Sequence, residues 1–184
     1  MALPRLRLVS SDSDAVALAD SAAGVDIDGL FRQYAADIAS LGLAMLGKKD
    51  EADDLVQEVF LRAFRGIKNL RDPERIRPWL ITIAVREGRT RLRRRKLSRL
   101  WLGADDFDFE QIAAPGSSAE DKIQIARLFR VLESMGVDLR LAWILRYLQS
   151  ETAEAVAEQC GWSLSTTKRR IRAAHDKVLK GMGS

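Results

Sequence analysis

Asp53-Asp54-Leu55-Val56-Gln57-Glu58-Val59-Phe60-Leu61-Arg62-Ala63-Phe64 is the stretch whose reading decides how this chain folds. Leu55, Val56, Val59, Phe60, Ala63 and Phe64 recur at the i, i+3, i+4 spacing that buries one face of a helix in a core. Asp54, Gln57, Glu58, Leu61, Arg62 and Arg65 fall on the other side. That side is not the usual lysine and glutamate solvent face. A polar helix face with a leucine in its middle can dock on another protein.

Upstream, Ile27, Leu30, Phe31, Tyr34, Ile38, Leu41 and Met45 mark the apolar stripe of a preceding helix, which Gly47 ends. Asp50 or a neighbour is expected to cap the next helix, with acids in its first turn where the macrodipole favours them. That helix is expected to run to about Ile67. Residues 1 to about 25, rich in Ser, Asp and Ala, read as a poorly ordered tail. Downstream, Pro73 and Pro78 frame the start of a third helix, because proline suits a first helical turn. Trp79, Leu80, Ile83 and Ala84 are its first apolar residues, and it turns strongly basic past Arg86.

Residues 98–119, closing on Ala113-Ala114-Pro115-Gly116-Ser117-Ser118, read as a linker. Beyond it Ile123, Ala126, Leu128 or Phe129, and Leu132 suggest a helix, and Leu139 to Tyr147 a second. Thr152 to Cys160 and Ser165 to about Leu179 suggest two more, separated by Gly161-Trp162-Ser163. A short glycine-containing turn between two such helices is the helix-turn-helix signature. Ser163 or Ser165 is placed to cap the second of them. No strand-like alternation appears, so the chain is expected to be all-α: two small helical domains joined by a flexible linker.

With 184 residues and 47% hydrophobic content the chain has room for one or two small domains with real cores. The net charge is only +4, so the distribution of charge matters more than its sum. Arg86 to Arg99 holds eight Lys/Arg against one acid, Glu87, and Lys168 to Lys180 holds six against one, Asp176. Between these runs lies the acidic stretch Asp105-Asp106-Phe107-Asp108-Phe109-Glu110. Two basic segments flanking an acidic linker point to two nucleic-acid contacts. The single cysteine, Cys160, and single histidine, His175, build neither a disulfide framework nor a zinc cluster. No apolar run approaches the roughly 20 residues that span a bilayer. No metal, cofactor or catalytic residue is expected, and the chain suits a reducing cytoplasm without membrane insertion.

The recognition-helix candidate begins with short polar residues, Ser165 and Thr166, that permit close approach to base edges. Lys168, Arg169 and Arg172 follow, suited to guanine edges or phosphates. Residues 165, 168, 169 and 172 share one helical face, while Thr167, Ile171 and Ala174 turn inward. His175 lies on the same helix near phosphate or solvent. Cys160, Trp143 and Trp162 read as packing residues. In the basic run, Trp79, Arg86, Arg89, Arg93 and Arg94 offer a stacking surface and a basic groove of the kind that holds single-stranded DNA, although a core role suits Trp79 equally well.

These residues carry a family resemblance. Asp-Leu-Val-Gln-Glu-Val-Phe-Leu-Arg-Ala-Phe, from Asp54 to Phe64, closely resembles region 2 of bacterial sigma-70 family factors, in the small extracytoplasmic function (ECF) group. The resemblance covers roughly residues 27–97 and 120–180. It implies that Asp54, Gln57, Glu58 and Leu61 bind RNA polymerase through the β′ clamp helices. Trp79 and the arginine run resemble the part of region 2 that captures the −10 strand. Residues 164 onward resemble region 4, whose helix reads the −35 element through Ser165, Thr166, Lys168, Arg169 and Arg172. The implied organisation is a tail over 1–25, region 2 over 26–97, an acidic linker over 98–119 and region 4 over 120–184.

The resemblance further implies that the β flap is a partner, that the linker runs toward the polymerase cleft, and that an anti-sigma factor binds the chain and can hold it at the membrane. The sequence departs from the family pattern at Arg86, where Asn is common, and at Thr90, where Asp is common. It also departs at Ala155, where Glu is usual, and at Ala173-Ala174, where an Arg usually precedes the small residue. The −10 preference therefore does not transfer. The function so implied is promoter-directed transcription initiation with no catalysis by the chain itself. A stand-alone helix-turn-helix regulator is the alternative, and it leaves the Asp54/Gln57/Glu58 face without a role. An enzyme is the weakest reading, since no Ser/His/Asp set or phosphate-cradling glycine loop is present.

Overall fold

The computed structural model describes residues 26–70, 72–102 and 118–183. Among these, seven α-helices carry the fold and no strand occurs: α1 (Ile27–Leu46), α2 (Lys49–Gly66), α3 (Ile76–Leu102), α4 (Ala119–Ser134), α5 (Val137–Trp143), α6 (Ala153–Cys160) and α7 (Leu164–Gly183). The all-α class expected from the sequence is what is seen. The expected tail and the acidic residues Asp105, Asp106, Asp108 and Glu110 lie outside the described residues.

α1, α2 and α3 form the first packed unit around Leu41, Met45, Leu55, Val59, Leu80, Ile81 and Ala84, all out of contact with water. Gly47 ends α1 in the left-handed conformation, φ 75°, with its N–H on Leu43 O. A glycine takes that geometry without the Cβ clash other residues meet. The next residue, Lys48, is the N-cap of α2 and makes no side-chain cap, so the expected Asp50 cap is not formed. Asp50 and Glu51 instead lie in the first turn, where they meet the helix dipole. Asp72 caps the short turn Pro73–Arg75 by accepting from the Glu74 N–H, and α3 follows directly. α3 continues past Lys96 to Leu102, so the helix runs five residues into the segment read as linker.

The second unit opens on a reciprocal cap. Ser118 Oγ accepts from Asp121 N–H at 3.1 Å while Asp121 Oδ2 accepts from Ser118 N–H at 3.2 Å. Leu128, Phe129, Leu132, Leu141, Ile144, Leu145, Val156, Ala174 and Val178 form its core. After α5 the chain widens into a π turn, Ile144–Leu148. It then reaches Ser150, which at φ 55° is left-handed without being glycine. Thr152 caps α6 by accepting from Ala155 N–H at 3.1 Å, a contact of a kind that contributes about 1 kcal/mol. Gly161, φ 67°, closes α6 and opens the turn into α7.

Three apolar residues assigned to buried faces are on the surface: Phe31, Phe64, which is 65% exposed, and Ile123. Phe31 lies against the Phe60 ring at 4.9 Å between centroids, and Phe64 falls one turn further along α2. The three-helix unit is too small to cover every position of a broad apolar stripe.

Candidate functional site

α2 presents Asp54, Gln57 and Leu61 to solvent, with Glu58 half-buried beside them. The opposite face, Leu55, Val56, Val59, Phe60 and Ala63, is buried. Arg62 Nε lies 2.8 Å from Glu58 Oε1 and 3.1 Å from Glu87 Oε1, so it pins the Glu58 carboxylate and ties α2 to α3. The four residues picked from the sequence therefore share one ordered face, with Leu61 as its apolar centre.

The basic run of α3 divides in two. Arg86, Arg93 and Arg94 are exposed. Arg91 and Arg95 point back into the first unit. Arg91 Nη1 donates to Glu51 O at 2.9 Å, Arg95 Nη1 donates to Leu46 O at 2.8 Å, and Arg95 also bonds the Glu51 carboxylate. These two arginines fasten the α1–α2 junction. Arg89 faces the second unit: its two Nη atoms donate to Cys160 O at 3.2 and 3.3 Å, at the C-terminal end of α6. Carbonyls there have no partner within the helix, and a cation completes them. Trp79 is half-buried against the core beside Gly66. Sequence spacing held a signal for Arg91 and Arg95, because Gly88, Arg91, Leu92 and Arg95 continue the buried stripe of Ala84 and Val85.

In the helix-turn-helix, Ser163 is the residue that organises the start of α7. Its Oγ accepts from Thr166 N–H at 3.3 Å and its carbonyl accepts from Thr167 Oγ1 at 3.0 Å. Ser165 Oγ and Thr166 Oγ1 both lie within hydrogen-bond distance of Ser163 Oγ. Thr167, Ile171 and Ala174 are buried, and Ser165, Lys168, Arg169 and Arg172 are exposed on the other side. Lys168 Nζ lies 3.9 Å from Glu154 on α6. Arg170, one position from this face, turns away and meets Asp138 instead. His175 is half-buried and stacked on the exposed Tyr147 ring at 4.9 Å between centroids. Cys160 is buried, and burial pushes its thiol up to about 12, which keeps it protonated and unreactive near neutral pH.

The sequence model of Sigma-70 region 2 matches residues 30–98, the segment that holds both the α2 face and the basic end of α3. ECF RNA polymerase sigma factor SigE of Mycolicibacterium smegmatis is 28% identical over 166 residues, 88% of this chain. Residues 30–98 thus match region 2 of the sigma-70 family, and the relatives that the chain resembles are ECF sigma factors. RNA polymerase sigma factor SigV of Bacillus subtilis is 28% identical over 138 residues, covering 75% of this chain and 80% of SigV. The alignment with SigE spans 63% of SigE, less than two thirds of its length. A solved structure, the sigma factor RpoE in complex with the anti-sigma factor NepR from Bartonella quintana, superposes with a TM-score of 0.69 at 21% identity. It covers 86% of this chain and 97% of RpoE, and it establishes the shared fold. Among the described residues, no group of three His, Cys, Asp or Glu side chains could hold a metal, and no helix is long and apolar enough to cross a membrane.

Proposed function

We propose that this chain is a sigma factor that binds core RNA polymerase, directs it to specific promoters and starts transcription there, working in the cytoplasm. One observation supports this above the rest. A single chain carries the Asp54/Gln57/Glu58/Leu61 face on α2, an exposed arginine cluster on α3 and a helix-turn-helix whose exposed side is Ser165, Lys168, Arg169 and Arg172. A DNA-binding regulator alone uses only the last of these.

In this reading residues 26–97 act as region 2, 98–119 as an acidic linker and 120–184 as region 4. The α2 face docks on the β′ clamp helices, and region 4 lies near the β flap. Arg86, Arg89, Arg93 and Arg94, with Trp79, hold the opened −10 strand, where a basic groove and a stacking surface suit single-stranded DNA. α7 lies in the major groove of the −35 element, phosphate contacts fixing its register and base contacts its sequence. The RpoE neighbour is bound to an anti-sigma factor, and an anti-sigma partner is proposed here too. Co-elution with core polymerase on gel filtration tests the reading. A stable complex is expected, and a chain that elutes alone while still binding duplex DNA would favour the stand-alone regulator.

A further inference from the structure

Three arginines from different parts of the chain converge on one carboxylate. Asp138, in the first turn of α5, has Oδ2 at 2.9 Å from Arg170 Nη2 of α7. Its Oδ1 lies 3.6 Å from Arg89 Nε and 3.8 Å from Arg93 Nη2, both on α3. The Trp162 ring, in the helix-turn-helix turn, sits between two of the same arginines, with the Arg170 guanidinium 4.1 Å and the Arg89 guanidinium 5.0 Å from its centroid. Each such contact is favourable, more so where water is partly excluded. Two further pairs close the same seam: Arg77 with Glu151, and Arg75 with Glu158.

The arrangement resembles a phosphate site already filled. Arginine clusters of this kind recognise phosphate through charge-assisted hydrogen bonds, and a carboxylate competes for the same donors. The filled site is not fully satisfied. Arg89 Nε and Asp138 Oδ1 are both shielded from water and make no hydrogen bond among the described residues, although they attract each other at 3.6 Å. A buried polar group left without a hydrogen bond weakens the state that contains it. At Asp138 the closed seam is therefore held by charge and stacking, while the hydrogen bonds that cross it run elsewhere, from Arg89 to Cys160 O and from Arg77 to Glu151.

We propose that Asp138 is an internal phosphate mimic that latches the two halves in a closed, self-inhibited form, and that nucleic-acid phosphate displaces it. The proposal rests on the sigma-factor reading for its purpose, since Arg89 and Arg93 belong to the −10 surface of that reading. The latch itself is a property of the free chain. Closing the seam covers Arg89 and Arg170 and fixes the −10 and −35 surfaces at one separation. Binding DNA frees the arginines, and the apparent affinity falls by the fraction of molecules that are open.

The test uses the full chain without polymerase, so it does not depend on polymerase binding. Asp138→Asn keeps the side-chain shape and removes the charge. It is compared with wild type and with Glu120→Gln, which removes one charge from the exposed start of α4 away from the seam. Small-angle scattering at low salt reads compactness, and fluorescence anisotropy with a 30-base-pair duplex of arbitrary sequence reads affinity. The account expects Asp138→Asn to have a larger radius of gyration and about five- to tenfold tighter duplex binding, with Glu120→Gln close to wild type in both. A compact Asp138→Asn, or one that opens without tighter binding, or one matched by Glu120→Gln, overturns the proposal. Should circular dichroism show Asp138→Asn unfolded, wild type decides. It is expected to be compact at low salt and to expand when the duplex is added, and failure of either removes the latch.

Discussion

Arg77 Nη1 on α3 donates to Glu151 Oε1 across 2.9 Å, joining the first helical unit to the turn that leads into the helix-turn-helix. Arg77 Nε reaches Asp37 on α1 at 3.3 Å from the same guanidinium. Glu151 is the more enclosed partner, its side chain 12% exposed. The turn it belongs to is further held by Arg146 Nη1 on Glu151 O at 2.9 Å, next to left-handed Ser150.

Arg77→Ala therefore leaves an enclosed carboxylate without its cation. The expected loss is about 1 kcal/mol, at the low end for such a break because Arg77 is partly in water. For a chain of this size that is a drop of roughly 2–4 °C in the thermal midpoint. Calorimetry of the variant checks it, and an unchanged midpoint shows that the clasp contributes nothing to stability.

Gln57→Ala combined with Glu58→Ala should weaken binding to core polymerase while leaving the helical circular dichroism intact. The core face of α2 is untouched by these changes: Gln57 is exposed, and Glu58 gives up only its pair with Arg62, which keeps Glu87. Leu61→Ala should act in the same direction, since the residues whose truncation costs most cluster near the centre of an interface. Unchanged core binding in both variants places the polymerase contact elsewhere.

Much of this was legible from local pattern. The i, i+3, i+4 spacing separates the two faces of α2, and the same rule puts Thr167, Ile171 and Ala174 inside and Lys168, Arg169 and Arg172 outside. The basic run was legible as charge but not as geometry. Arg91 and Arg95 serve backbone carbonyls at the α1–α2 junction, and Arg89 serves the end of α6, 71 residues away in sequence. The Glu151 partner of Arg77 and the Cys160 and Asp138 partners of Arg89 follow from the packing of one helical unit on the other, and the Asp138 partner of Arg170 from the packing of α7 on α5, which no local spacing encodes. The stacking of His175 on Tyr147 was out of reach for the same reason, since Tyr147 lies on a different element. The exposed Phe31 and Phe64 show the converse, where a periodic apolar position has no neighbour to cover it.

Arg86 and Arg94 are the exposed members of the α3 run that make the cleanest test of strand capture. Arg86→Ala with Arg94→Ala should reduce promoter melting and flatten its salt dependence by about two in logarithmic slope or less, because each phosphate contact contributes under one unit. Permanganate footprinting across a salt series measures this. Wild-type reactivity and slope would show that these arginines do not touch the opened strand.

In α7, Lys168→Ala, Arg169→Ala and Arg172→Ala should separate into two behaviours against a promoter library. A base-reading residue loses about 1–3 kcal/mol and relaxes preference at one position, whereas a phosphate-reading residue weakens all sequences about equally. Binding and preference unchanged in all three variants would mean that α7 does not read DNA and that the second unit has another role.

Run-off transcription with core polymerase over a pool of promoter fragments tests the central claim most directly. The account predicts new start sites that depend on this chain, share elements near −35 and −10, and disappear with the Gln57→Ala/Glu58→Ala variant. A chain that binds promoter fragments yet yields no start site beyond those of core polymerase alone would contradict it.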